Sequence, residues 1–344
     1  MKKIVLFNHK GGVSKTTSTF HIGWKIAELG HKVLLVDADP QCNLTALFLG
    51  DKFDPYYESE TTKKNNLKDG VGVAFDSSAI KAIEAFDCPQ STRNNSLFLL
   101  PGHMNISEYE SQLNFAMTAP LAFPALKNLP GSFNDLITKI CEKYGIEYVF
   151  IDLNPGLSAL NRILFLCSDA FIVPTNPDTF SLMALNSLSK ILPEWVDWKN
   201  QHIADFSGAA YPLPESIPRF IGEIPQRFNV RNGRATTQFA IKIDALTEII
   251  ISVLVPSLRK KGMLFPEEAY DAAGIDRSTY CLEEIKDFLT LAPKRFGANV
   301  PVFALTDEEL EATGMVLETA QTNREIFNQL YTRLANKIIT LLLQ

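Results

Sequence analysis

Two lysines bracket a run of small residues near the start of the chain, Lys10-Gly11-Gly12-Val13-Ser14-Lys15-Thr16-Thr17. Such a run lets several backbone N–H groups point at one anion, while a lysine adds charge and a neighbouring hydroxyl can ligate Mg²⁺. The chemistry this predicts is the binding of a nucleotide's phosphates. Lys15 and Thr16 fill the K-[ST] places of an ordinary phosphate-binding loop. Lys10 is extra, and it narrows the field to one kind of nucleotide switch. Carboxylates suited to the same chemistry end two later apolar runs. Asp37 and Asp39 follow residues 32–36, and Asp152 closes residues 148–152.

These side chains need elements to hold them. A strand over about residues 3–8 leads into the loop, and a helix over about 16–29 follows it. Ile22, Ile26 and Leu29 lie on one face of that helix, and Gly30 stops it. Strand, small-residue loop and helix together put the anion at a helix N-terminus, where unpaired N–H groups and the dipole favour it. In an open parallel sheet, ligands bind at the carboxyl ends of the strands. Three strands therefore bring the loop, Asp37, Asp39 and Asp152 to one edge. Further strands are expected at 96–100, 171–173, 219–224 and 300–303. Helical stretches between most of them argue for βαβ units. The fold class expected is α/β, a mostly parallel twisted sheet flanked by helices on both faces.

With these segments in view, the chain resembles the ParA/MinD family of P-loop ATPases. Residues 10–17 match its K-G-G-V-x-K-T-T loop. Val36-Asp37-Ala38-Asp39-Pro40-Gln41-Cys42-Asn43 matches its V-D-x-D-P-Q-x-N segment, and Ile151-Asp152-Leu153-Asn154-Pro155-Gly156 its I-D-x-x-P-G strand end. The likeness is good over residues 1–49 and about 145–190, and loose over 219–250 and 310–340.

The resemblance implies Mg²⁺-dependent hydrolysis of ATP. Lys15 belongs on the β/γ oxygens, and the N–H groups of Gly11, Gly12, Val13 and Ser14 around the phosphates. Thr17 belongs at the α-phosphate. Thr16 is expected to ligate Mg²⁺, with Asp37 and Asp152 holding the ion directly or through its waters. Asp39 takes the place that orients the attacking water. Lys10 takes the place of the lysine that crosses a face-to-face ATP dimer to the partner's nucleotide, a cation delivered by dimerisation. Gln226, after the strand at 219–225, is the expected contact to adenine. His9 is given no catalytic role. Ser14 stands where the family has glycine. A left-handed backbone there would cost serine about 1 kcal/mol.

With 344 residues, 46% of them apolar, the chain can build one large α/β domain. We expect a single domain over 1–344, with polar loop insertions at about 51–95 and 199–218 and an unplaced, largely helical segment at about 255–300. The loops are read as 51–69, 87–95 and 199–218. Five separated cysteines without a C-x-x-C spacing argue against a zinc site and fit reduced thiols. The first apolar run is too short for a signal peptide, and no segment approaches a membrane span. A cytoplasmic, nucleoid-associated protein is expected.

The resemblance implies a homodimer with ATP, non-specific DNA as a target and a ParB-like or other adaptor protein that stimulates hydrolysis. Net charge is −6, so any contact to DNA phosphates needs a local basic face. Candidates are Arg259-Lys260-Lys261, Lys294-Arg295, Arg324, Arg333 and Lys337. Three other readings stay open. Leu334, Ile338 and Leu341 share a helical face that would suit either a membrane-bound switch or a packed terminal helix. A ligase of the same superfamily is less well matched by Lys10 and the Asp-Pro-Gln segment than the dimeric ATPase. Assembly of another protein complex would use the same switch.

Overall fold

The computed structural model describes residues 1–76, 82–118, 124–226, 230–231, 234–235 and 237–344. In chain order, β1 (Lys2–Leu6) leads to α1 (Lys15–Glu28), β2 (Val33–Ala38), α2 (Asn43–Leu49), α3 (Phe53–Glu58), α4 (Leu67–Phe75) and β3 (Leu97–Leu100). Then come α5 (Glu110–Thr118), α6 (Leu129–Tyr144), β4 (Tyr148–Leu153), α7 (Ala159–Leu166), β5 (Ala170–Thr175), α8 (Thr179–His202) and β6 (Arg219–Pro225). After β6 come α9 (Thr237–Ile249), α10 (Val255–Arg259), α11 (Glu267–Ala272), α12 (Leu291–Ala298) and α13 (Gly314–Leu342).

These six strands form one sheet in the order β3-β2-β4-β1-β5-β6, with every pairing in it parallel, and Val230–Arg231 pairs separately with Arg234–Ala235. Consecutive residues of a strand point to opposite faces. Ile4, Val5 and Leu6 are nevertheless all fully buried, as are Leu34, Leu35 and Val36. Both faces are therefore covered, which explains the continuous apolar runs. One apolar cluster extends from Ile4 to Leu342.

α1 packs against α13, whose Leu334, Ile338 and Leu341 are fully buried. The face that would suit a bilayer is thus part of the core. Among the described residues, no helix is long and apolar enough to cross a membrane.

Four expectations need correction. Residues 51–69 are largely helical, comprising α3 and the start of α4. Their polar composition hid a tethered segment: Tyr57 Oη donates to Gly102 O at 2.6 Å, and Asn66 caps α4 by accepting from Asp69 N–H at 2.9 Å. α8 runs on to His202, so the loop expected at 199–218 begins later. Lys199 is buried and donates to Leu166 O at 2.7 Å. Residues 300–303 are no strand: Val302–Ala304 form a 3₁₀ turn after Pro301, and Val302 N–H bonds to His21 rather than to a neighbouring strand. Residues 255–300 are only partly helical. Between helices they run beside β6 through single parallel bridges, Phe220 with Leu264, Glu223 with Cys281 and Gln226 with Ile285. They cover an edge that would otherwise offer unpaired backbone groups.

Candidate nucleotide-binding site

Register puts the chemistry at one end of the sheet. Leu6 at the end of β1 is level with Asp152 on β4, and Asp152 is level with Asp37 on β2. The loop from β1 therefore opens beside both carboxylates. Residues 11–17 line a cavity of about 770 Å³, together with Asp39, Gln226, Phe288 and Arg295.

Within the loop, Ser14 is left-handed at φ 56° and Gly12 at φ 74°. The glycine bears this conformation without a Cβ clash, whereas the serine carries the strain anticipated for it. Lys15 is 7% exposed and donates to Asn8 O at 2.8 Å and Lys10 O at 3.1 Å. Burial lowers its pKa to about 8, although the charges of Asp152 and Asp39 pull the other way.

The three aspartates differ in what they already hold. Asp37 is fully buried. One oxygen accepts from Asp39 N–H at 3.2 Å, and the other from Thr45 N–H at 2.8 Å and Thr45 Oγ1 at 2.7 Å. Burial raises its pKa to about 6 against these bonds. Asp39 borders the cavity, and its Oδ1 accepts from Gln41 N–H at 2.9 Å. Asp152 is fully buried, and neither carboxylate oxygen meets a donor in hydrogen-bonding geometry. Burial pushes its pKa well up, and so does Asp37, while the nearby Thr16 hydroxyl and Lys15 oppose them.

A buried carboxylate with two unsatisfied oxygens, beside a loop hydroxyl, fits a hard cation. Among the described residues there is no group of three or more His, Cys, Asp or Glu that would form a complete protein cage. Mg²⁺ needs none, since it is held by one or two protein groups plus phosphates and water.

Lys10 and Gln226 are held by different partners. The Lys10 ammonium is bound by the Asp178 carboxylate and donates to Ser181 Oγ at 3.1 Å, at the start of α8. Gln226 is 2% exposed, lines the cavity, and donates through Nε2 to Ser18 Oγ at 2.7 Å. The neighbouring Arg227 and Phe228 lie outside the described residues. His9 has its pKa lowered by burial and then by Lys15.

One wall of the cavity was missed in the sequence. Residues 285–288, with Arg295 and Asn299, also line it. No phosphate-loop pattern reaches that far along the chain. Arg295 was counted among cations facing DNA, but it is 6% exposed and donates to Thr17 Oγ1 at 3.2 Å. Most of the other basic candidates are engaged in ion pairs: Arg259 with Glu267, Lys261 with Asp197, Lys294 with Glu311, Arg324 with Asp307, and Arg333 and Lys337 with Glu283.

Comparison with known proteins agrees with this geometry. A family profile described as an AAA domain matches residues 1–204, more than half of the chain. An uncharacterised protein of Methanocaldococcus jannaschii is 30% identical over 263 residues, which is 71% of this chain and 92% of that one. The maintenance of carboxysome distribution protein A of Gloeothece citriformis is 29% identical over 271 residues, 78% of this chain and 92% of that one. The structure of pNOB8 ParA bound to nonspecific DNA is similar in fold, with a TM-score of 0.55 at 18% identity, over 99% of this chain and 98% of that one. The loop, the strand order and these matches together make the chain a member of the AAA-domain family of ParA/MinD-type P-loop ATPases.

Proposed function

We propose that the chain is a Mg²⁺-dependent ATPase switch that dimerises with ATP and serves partition or cargo positioning. The observation that carries this reading is the single cavity shared by residues 11–17 and Asp39, with the unsatisfied Asp152 carboxylate behind it. Phosphoryl transfer to water asks a protein mainly for positioning and charge compensation. Lys15 swings from the Asn8 and Lys10 carbonyls to the β/γ oxygens. The N–H groups of residues 11–14 cradle the phosphates, and Thr17 serves the α-phosphate. Asp39 orients the attacking water. Thr16 and Asp152 would hold Mg²⁺, and Asp37, with its oxygens engaged, would act through the ion's waters. The ion, when bound, neutralises charge on the β- and γ-phosphates. Gln226, which lines the cavity, contacts the adenine.

Lys10 is given its role in the dimer, across the interface to the partner's nucleotide. Non-specific DNA is the proposed target of the ATP state, and a separate adaptor protein stimulates hydrolysis. A relative bound to nonspecific DNA supports that target. Surface ion pairs of the kind that hold Arg259, Lys261 and Arg333 are worth at most about 1 kcal/mol, so phosphates can compete for these side chains.

Two measurements test the reading. Phosphate release from ATP without any added substrate separates an ATPase from a ligase. Binding to random-sequence duplex at moderate salt is then compared with ATP–Mg²⁺ and with ADP–Mg²⁺. Binding with ATP alone supports the partition switch. Turnover with no DNA binding in either state moves the target to another macromolecule.

A further inference from the structure

Arg295 carries a charge that the reading above does not use. It lies near the end of α12, almost fully buried, on the wall of the cavity that the phosphate loop forms. Its Nη2 reaches Thr17 Oγ1 at 3.2 Å across 278 positions of sequence. Its guanidinium carbon is 5.6 Å from the centroid of the Phe288 ring. Phe288 in turn stacks on His21, with centroids 5.0 Å apart and planes at 20°.

His21 fixes the other side of Thr17. Its Nε2 accepts from Val302 N–H at 3.2 Å, so the ring proton is on Nδ1, which donates to Thr17 O at 2.7 Å. Burial, and then the Arg295 charge, push the His21 pKa well below its usual value, so the ring is neutral. Thr17 is thus held at its carbonyl by His21 and at its hydroxyl by Arg295. The far end of α12 is anchored as well. Asn299 lies so close to Gly50 that a Cβ there would fall 1.9 Å from Asn299 Nδ2.

We propose that Arg295 is a ligand of the nucleotide's α-phosphate, the group that ATP and ADP share. The proposal rests on the ATPase reading. A phosphate loop cradles the α- and β-phosphates with its N–H groups while its lysine reaches the β/γ end. Thr17, two residues into α1 beyond Lys15, is at the α end, and Arg295 is bonded to it. A planar guanidinium matches a phosphate and stays charged at every working pH. A contact to the shared phosphate binds substrate, transition state and product alike. It strengthens affinity for ATP and for ADP alike. Residues 285–299 thereby gain a purpose: they carry a cation to the nucleotide from a part of the chain that no loop motif predicts.

The test is calorimetric titration of ADP and of a non-hydrolysable ATP analogue into the full chain and into Arg295→Lys, Arg295→Gln and Arg295→Met. Loss of one charge-assisted bond predicts about 10- to 100-fold weaker binding for the Gln and Met variants, by the same factor for both nucleotides. The Lys variant, which keeps the charge but not the planar fork, should lose less affinity than the Gln and Met variants. Wild-type affinity in the Gln variant would overturn the proposal, because charge would not be needed. So would a loss confined to the ATP analogue, which would put Arg295 at the γ end. Thermal melting without nucleotide reports on folding. If the Met variant does not fold, the contrast between Lys and Gln decides. A wild-type chain that binds neither nucleotide would instead overturn the ATPase reading itself, and the proposal with it.

Discussion

The Lys10 ammonium is bound by the Asp178 carboxylate, the residue that caps α8, and does not line the cavity that Lys15 faces. Burial alone would push the Asp178 carboxyl up. Bonds from Lys10 and from Ser181 N–H outweigh it and hold that carboxyl below its usual range. A lysine needed by a partner's nucleotide must first leave this site. Asparagine caps a helix as well as aspartate does, so Asp178→Asn preserves α8 and weakens only the grip on Lys10. We expect this variant to self-associate with ATP at several-fold lower protein concentration, as followed by light scattering. The shift should vanish in a Lys10→Ala background. An unchanged midpoint would mean that the ion pair does not restrain the lysine.

Lys15 and Asp39 separate binding from chemistry. Lys15→Ala removes the buried ammonium proposed to reach the β/γ oxygens and should abolish measurable nucleotide binding. Asp39→Ala leaves the loop and Lys15 in place. It should bind ATP and dimerise, with hydrolysis lowered at least about 100-fold, the scale of a lost general base or water-orienting group. Wild-type turnover by Asp39→Ala would remove that residue from the chemistry.

Much of this site is legible in the sequence because its parts are local. Residues 10–17 are contiguous, and Asp37 and Asp152 each end an apolar run. Parallel pairing alone then makes the two acids neighbours. The elements that were misread depend on distant contacts. Tyr57 holds its segment to Gly102, which a polar stretch at 51–69 does not announce. Val300-Pro301-Val302-Phe303 has strand-like composition, yet its amide bonds to His21 in α1. Arg295 reads as half of a basic dipeptide, and only the tertiary path of residues 285–299 delivers it to Thr17. Periodicity and spacing cannot see such pairings, which span from 45 to 281 positions.

Ser14 offers a test of strain at the loop. Its φ of 56° is a conformation that costs a residue with a Cβ about 1–2 kcal/mol. Glycine relieves that cost but brings back up to about 1 kcal/mol of unfolded-state entropy. Ser14→Gly should therefore leave stability unchanged or raise it by up to about 2 kcal/mol in urea denaturation. A marked loss would show that the serine side chain makes a stabilising contact that outweighs the strain.

Glu223 makes the stability of the fold pH-dependent, independently of the nucleotide chemistry. It is 2% exposed on β6, and the Thr175 hydroxyl donates to it. Burial raises its pKa from 4.5 to about 8; the Thr175 bond opposes this, and Glu284 adds to it. An acid whose folded pKa is raised lends stability that is complete below its unfolded value and is lost as pH rises through the folded one. Melting temperature should therefore decline from about pH 5 to pH 8, with a few kcal/mol at stake. Glutamine still accepts from Thr175 and never ionises. Glu223→Gln should match wild type near pH 5 and exceed it increasingly toward pH 9, flattening the decline. Parallel curves across that range would mean that Glu223 is already charged in the folded protein at neutral pH, despite its burial.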